Sequence, residues 1–142
     1  MNDCCFTYGS LMCQDIMSGV AGMVLRGEPA WLGGYARHPV VGEDYPGAIA
    51  APGAVVEGVL YRGLGQAALR RLDVFEGDMY ERLRVGVNLV GGGDVTAWCY
   101  IVRDRYQDRL QAGTWDFAAF LRQGKARFLS RYMGFAELER EA

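Results

Sequence analysis

A chain of 142 residues, 51% of them hydrophobic, is long enough to bury one core and is expected to form a single domain across residues 1–142. Its formal charge of −2 creates no basic field, and no Lys/Arg cluster is interleaved with aromatics, so no nucleic-acid partner is expected. No apolar run approaches the roughly twenty residues of a membrane span, and Met1-Asn2-Asp3-Cys4-Cys5 lacks the features of a signal peptide, so the expectation is a cytoplasmic chain with no membrane partner.

Residues 4–8 form a short apolar run stopped by Gly9, the pattern of a strand entering a turn. Backbone N–H groups in such a turn, Tyr8-Gly9-Ser10-Leu11, can be aimed at an anion. Residues 15–25 mix helical and loop character around Gly19 and Gly22. Short strands are expected at 29–35, 48–51 and 55–61, broken by Gly33-Gly34, Tyr45-Pro46-Gly47 and Pro52-Gly53. Alternation is clearest in Val56-Glu57-Gly58-Val59-Leu60-Tyr61, which suits a meander or barrel wall. Residues 66–75 carry a one-sided apolar pattern, Ala68, Leu69, Leu72 and Phe75 among them, that predicts an amphipathic helix ending near Gly77. Glu76 then sits at a helix end, flanked by Phe75 and Met79, apolar neighbours that would raise its pKa from the usual ~4.3 toward neutrality.

Two strands follow, at 80–89 and 95–102. The Gly91-Gly92-Gly93-Asp94 run between them lacks the Gly-Lys-Ser/Thr of a phosphate loop and is bracketed by strands, which predicts a hairpin turn. From Trp115 to Arg140, Phe117, Phe120, Leu121, Phe128, Leu129, Tyr132 and Met133 recur at helical spacing and predict a helix covering the barrel.

Cys4, Cys5, Cys13 and Cys99 are spaced for neither a disulfide framework nor zinc, and His38 is the only histidine, so neither metal nor metal cofactor is expected. Buried, reduced thiols are the ordinary reading, with Cys13 as a nucleophile the sharper one because it follows the glycine turn. Ser10 is not in a Gly-x-Ser-x-Gly elbow and has no motif-linked histidine, which argues against serine-hydrolase chemistry. A glutamate at a helix end is usually solvated or ion-paired, here with Arg82, which is expected to orient it. Tyr8, Tyr80 and Tyr100 suit a barrel core as well as a ligand.

Five segments in order resemble the gamma-glutamylcyclotransferase-like superfamily in its avirulence-induced-gene (AIG2-like) branch. They are Tyr8-Gly9-Ser10-Leu11, the Val-x-Gly-x-Leu-Tyr strand at 56–61, Leu72-Asp73-Val74-Phe75-Glu76-Gly77 with Tyr80 and Arg82, the Ala-Trp-x-Tyr strand at 97–100, and Thr114-Trp115-Asp116-Phe117. The resemblance implies an α+β fold, a small mixed β-barrel flanked by helices. It implies release of 5-oxoproline from a γ-glutamyl substrate, with Glu76 as the proton carrier and no cofactor. By the same resemblance Tyr8, Gly9, Ser10 and Leu11, extending to Met12 and Cys13, would hold the glutamyl end, and Tyr80 and Tyr100 would line the pocket. Met12-Cys13-Gln14-Asp15 replaces the Lys-Arg-Gly of the γ-glutamylamine-processing branch, which leaves glutathione, γ-glutamyl amino acids and γ-glutamyl amines open. The second functional class is a non-catalytic domain that keeps the pocket and binds a small metabolite or a protein. An ionisable group kept beside an apolar wall favours the enzyme.

Overall fold

In the computed structural model, which describes residues 3–141, five strands close into a barrel in the order β1-β3-β2-β4-β5. They are β1 (Asp3–Thr7), β2 (Gly27–Pro39), β3 (Pro46–Leu64), β4 (Tyr80–Leu89) and β5 (Asp94–Val102). Neighbours run antiparallel, except that β1 meets β5 in parallel at Cys5 and Trp98. The helices α1 (Gln14–Ala21) and α2 (Gln66–Glu76) follow β1 and β3. The C-terminal segment runs through α3 (Phe117–Ala119), a π-turn at Phe120–Gly124, α4 (Lys125–Arg131) and α5 (Met133–Glu141). This is the mixed, helix-flanked α+β barrel. No helix among the described residues is long and apolar enough to cross a membrane.

Strand alternation divides the apolar residues between two cores. Phe6, Leu32, Val56, Leu60, Val85, Val87 and Cys99 fill the barrel. Cys5, next to Phe6 but on the opposite face of β1, joins Tyr61, Leu64, Met17, Leu72 and Phe75 in a second core between barrel and helices. The candidate site lies where the two cores meet, at the C-terminal end of β1.

Two expectations change. Gly33-Gly34 and Pro52-Gly53 do not end strands: β2 and β3 are long, and the register between them slips, with residues 33 to 35 of β2 facing 55 to 50 of β3. Pairing on both sides of that bulge carries the ladder past local breakers, a tertiary effect that turn residues alone do not reveal. The Tyr45-Pro46-Gly47 break is shifted, since Pro46 and Gly47 already pair with Pro39 and His38 and the chain turns through residues 40–45. The single C-terminal helix is instead divided, with Tyr132 extended (ψ 124°) between α4 and α5.

Candidate active site

Helix α2 buries Ala68, Leu69, Leu72 and Phe75 and stops at Gly77, where φ is 77° and the N–H donates to the Asp73 carbonyl at 3.2 Å. That stop makes Glu76 the last helical residue, and it lines a cleft together with Tyr8, Gly9, Ser10 and Leu11 from the turn after β1. Phe75, Tyr80 and Tyr100 add aromatic walls around a narrow cavity of about 30 Å³. Glu76 is half-buried. Even so, burial first and the Asp73 carboxylate second push its carboxyl up to about 8. It accepts no hydrogen bond from the described residues. Phe75 contributes to this apolar setting, whereas Met79 is buried elsewhere in the core.

The turn opposite Glu76 is a single 3₁₀ turn, Ser10–Met12, closed by Met12 N–H to Gly9 O at 3.0 Å and Cys13 N–H to Ser10 O at 3.1 Å. Among the described residues no acceptor meets the N–H groups of Gly9, Ser10 or Leu11, three successive donors on residues that line the cleft. Arg37 sets their orientation from behind: its Nη1 donates to Tyr8 O at 2.8 Å and to Glu57 O at 3.3 Å, while the guanidinium lies 5.3 Å from the Trp115 ring centroid. In a trans peptide the C=O and the next N–H point opposite ways, so pinning Tyr8 O turns the Gly9 N–H away from Arg37. Gly9 is required by close approach, since a Cβ there would lie 2.8 Å from Pro46 Cδ; its φ of −131° asks for no left-handed residue.

The tyrosines of the cleft are tied to the scaffold. The Tyr8 hydroxyl donates to Tyr100 O at 2.6 Å and accepts from Ala48 N–H at 3.1 Å, and Tyr80 donates to Pro46 O at 2.7 Å. Tyr100 donates to Asp73 Oδ1 at 2.7 Å. Burial holds all three phenols above their ordinary range, so they present neutral surfaces to the cleft.

Arg82 corrects an expectation. It pairs with Asp73, at 2.7 and 3.1 Å through two nitrogens, and stacks 4.3 Å from the Trp98 ring centroid. Asp73 lies one helical turn before Glu76 and is the exposed carboxylate that β4 can reach, while Glu76 faces the cleft. Met12 and Cys13 also differ: neither lines the cleft. Met12 sits under Arg37 (Nη1 to Sδ 3.8 Å), because the 3₁₀ turn rotates it to the far side. Cys13 is buried in the helix-side core, where burial raises its thiol pKa, the reverse of an activated nucleophile. Ser10 lines the cleft, and His38 is engaged elsewhere, with Gly113 O 2.7 Å from Nδ1. No group of three or more His, Cys, Asp or Glu among the described residues is placed to hold a metal ion.

Four cleft residues are not marked as site residues by local pattern: Tyr45 and Pro46 from the β2–β3 turn, and Phe128 and Tyr132 from the C-terminal segment. The one available signal is the aromatic spacing 128, 132, 135, which marks a packed face without saying what it covers.

A family model described as "Gamma-glutamyl cyclotransferase, AIG2-like" matches residues 5–117. AIG2-like protein D of Arabidopsis thaliana is 31% identical over 134 residues, which are 93% of this chain and 88% of that protein. The solution structure of another Arabidopsis thaliana protein superposes with a TM-score of 0.73 and 26% identity, covering 99% of this chain and 85% of that one. A solved structure named gamma-glutamyl cyclotransferase shares the fold, with a TM-score of 0.63 at 20% identity over 72% of this chain and 68% of that one.

Proposed function

The chain belongs to the AIG2-like gamma-glutamyl cyclotransferase family, and from that premise we propose that it releases 5-oxoproline from a γ-glutamyl compound, with Glu76 carrying the proton. The observation that carries this reading is one cleft holding both a carboxyl shifted to about 8 and a turn with three unpartnered N–H donors.

The reaction's needs map onto those two features. An α-ammonium becomes a nucleophile only after losing a proton, and a carboxyl raised to about 8 accepts that proton far better than an ordinary carboxylate does. The freed amine attacks the substrate's own γ-carbonyl, so a carbon–nitrogen bond forms within one molecule and proximity is supplied once the cleft enforces the folded conformer. N–H groups from Gly9 to Leu11 oppose the negative charge, on the substrate carboxylate or on the developing oxyanion. Collapse breaks the γ-carbonyl bond to the second amine, Glu76 passes its proton to that amine as it leaves, and the second proton shed by the attacking nitrogen as it becomes an amide follows, so that the products are 5-oxoproline and an ammonium. Atoms and charge balance without water or a redox partner.

Incubation with a panel of γ-glutamyl amines, amino acids and glutathione, following 5-oxoproline, tests the reading. At least one member should yield 5-oxoproline and free amine in equal amounts. Binding without release by any member would replace this reading with that of a metabolite-binding domain.

A further inference from the structure

We propose that the C-terminal segment selects the departing amine through Phe128 and Tyr132, admitting a compact, uncharged substituent. The proposal rests on the cyclotransferase reading and assigns its substrate class. Both residues lie beyond the 5–117 span that the family model matches, yet both line the cleft with Glu76.

The cleft has two chemically distinct parts. The α-carboxylate, α-amine and γ-carbonyl of a glutamyl group need polar partners, and the cleft offers these at the Gly9–Leu11 turn and at Glu76. Apart from Thr7, whose hydroxyl donates to Val59 O at 2.9 Å, what remains of the wall is aromatic or apolar, and it therefore meets whatever is attached to the departing nitrogen. Phe128 stacks on Tyr132 with centroids 4.8 Å apart and planes 18° from parallel, and Tyr45 packs edge-on against both, at 6.1 and 5.2 Å. This roof is anchored in place. The Tyr132 hydroxyl donates to Phe75 O at 2.7 Å and Glu76 O at 3.2 Å, and Arg127 in α4 grips Asp44 of the β2–β3 turn at 2.7 Å. A fixed aromatic roof limits size. Charge is limited separately, because no Lys or Arg lines the cleft among the described residues. A carboxylate on the leaving group would be desolvated there without a counter-ion.

The test compares kcat/KM for γ-glutamyl-ethylamide, γ-glutamyl-benzylamide and γ-glutamyl-glycine. The wild type should favour the ethylamide at least tenfold over each of the others. Phe128→Ala should raise the benzylamide-to-ethylamide ratio about tenfold, and Phe128→Leu should move it less in the same direction. Such ratios within one variant are independent of the folded fraction, so a merely structural role would leave them unchanged. Unchanged ratios in both variants, or a wild type that prefers γ-glutamyl-glycine, overturn the proposal. If the wild type releases 5-oxoproline from none of the three, nor from any other member of the wider panel, glutathione included, the functional reading fails by itself. Calorimetric affinities of the same compounds for wild type and Phe128→Ala then decide, and equal affinity ratios overturn the role of the roof.

Discussion

At Glu76 the carboxyl titrates near 8, so the fraction able to accept a proton climbs from about a tenth at pH 7 to about nine-tenths at pH 9. The rate of cyclisation at low substrate should therefore rise through an apparent pKa near 8. Because Asp73 is the second cause of that shift, Asp73→Asn should move the inflection of a kcat/KM profile to lower pH, and an unmoved inflection would assign the profile to another group. Glu76→Gln keeps size and hydrogen bonding but removes proton transfer, which should cost roughly a hundredfold or more in turnover while substrate still binds. Arg37 acts at one remove, as a positioning residue that holds the Tyr8 carbonyl. Arg37→Met should raise KM about tenfold with a smaller change in kcat, and Lys should restore part of it by donating to the same carbonyl without the contact to Trp115. Equal losses in KM and kcat for Arg37→Met and Arg37→Lys alike would point to general unfolding.

Among the elements, the junction of α2 and α5 makes the sharpest test. Gly134 lies in the first turn of α5, and a Cβ there would run into the Phe75 carbonyl and the Tyr132 ring. Ala in place of a helical Gly ordinarily stabilises by about 1 kcal/mol. Here the sign should reverse: Gly134→Ala should lower the thermal midpoint and, by pushing α5 off the end of α2, loosen Tyr132 and Glu76 and reduce turnover. A raised midpoint would show that α5 does not brace the site. The same junction marks where sequence pattern stops being informative. Helix α2 and its end at Gly77, the β4–β5 hairpin on its glycine run, and the turn after β1 are written in local periodicity and turn chemistry, and they bring Glu76 and the 8–11 turn within reach of prediction. The division of the C-terminal helix at Tyr132 is not, because it depends on a hydroxyl finding carbonyls 57 and 56 residues away. Arg82 fails for a related reason, since Asp73 and Glu76 are both near it in sequence and only packing decides which one faces outward.

For the whole molecule, Glu76 is a cost to the fold as well as a proton carrier. Its carboxyl titrates near 8 in the folded protein against an ordinary 4.5, so between those values the folded state binds more protons than the unfolded one. Stability from this group is complete below about pH 4.5 and is lost as pH rises through about 8, because stability falls with pH wherever the native state holds the extra proton. Asp15 has the opposite sign, its pKa lowered chiefly by a hydrogen bond from Lys125, but it is largely exposed and contributes little. Glu76→Gln should therefore stabilise the protein at pH 9, by an amount on the order of a few kcal/mol at most, and have almost no effect at pH 4, where Glu76 is already neutral. Urea midpoints for wild type and variant at the two pH values measure this directly. An equal difference at both pH values would mean that the carboxyl is solvated when the protein is folded, and the cleft would then lose the shifted base on which cyclisation depends.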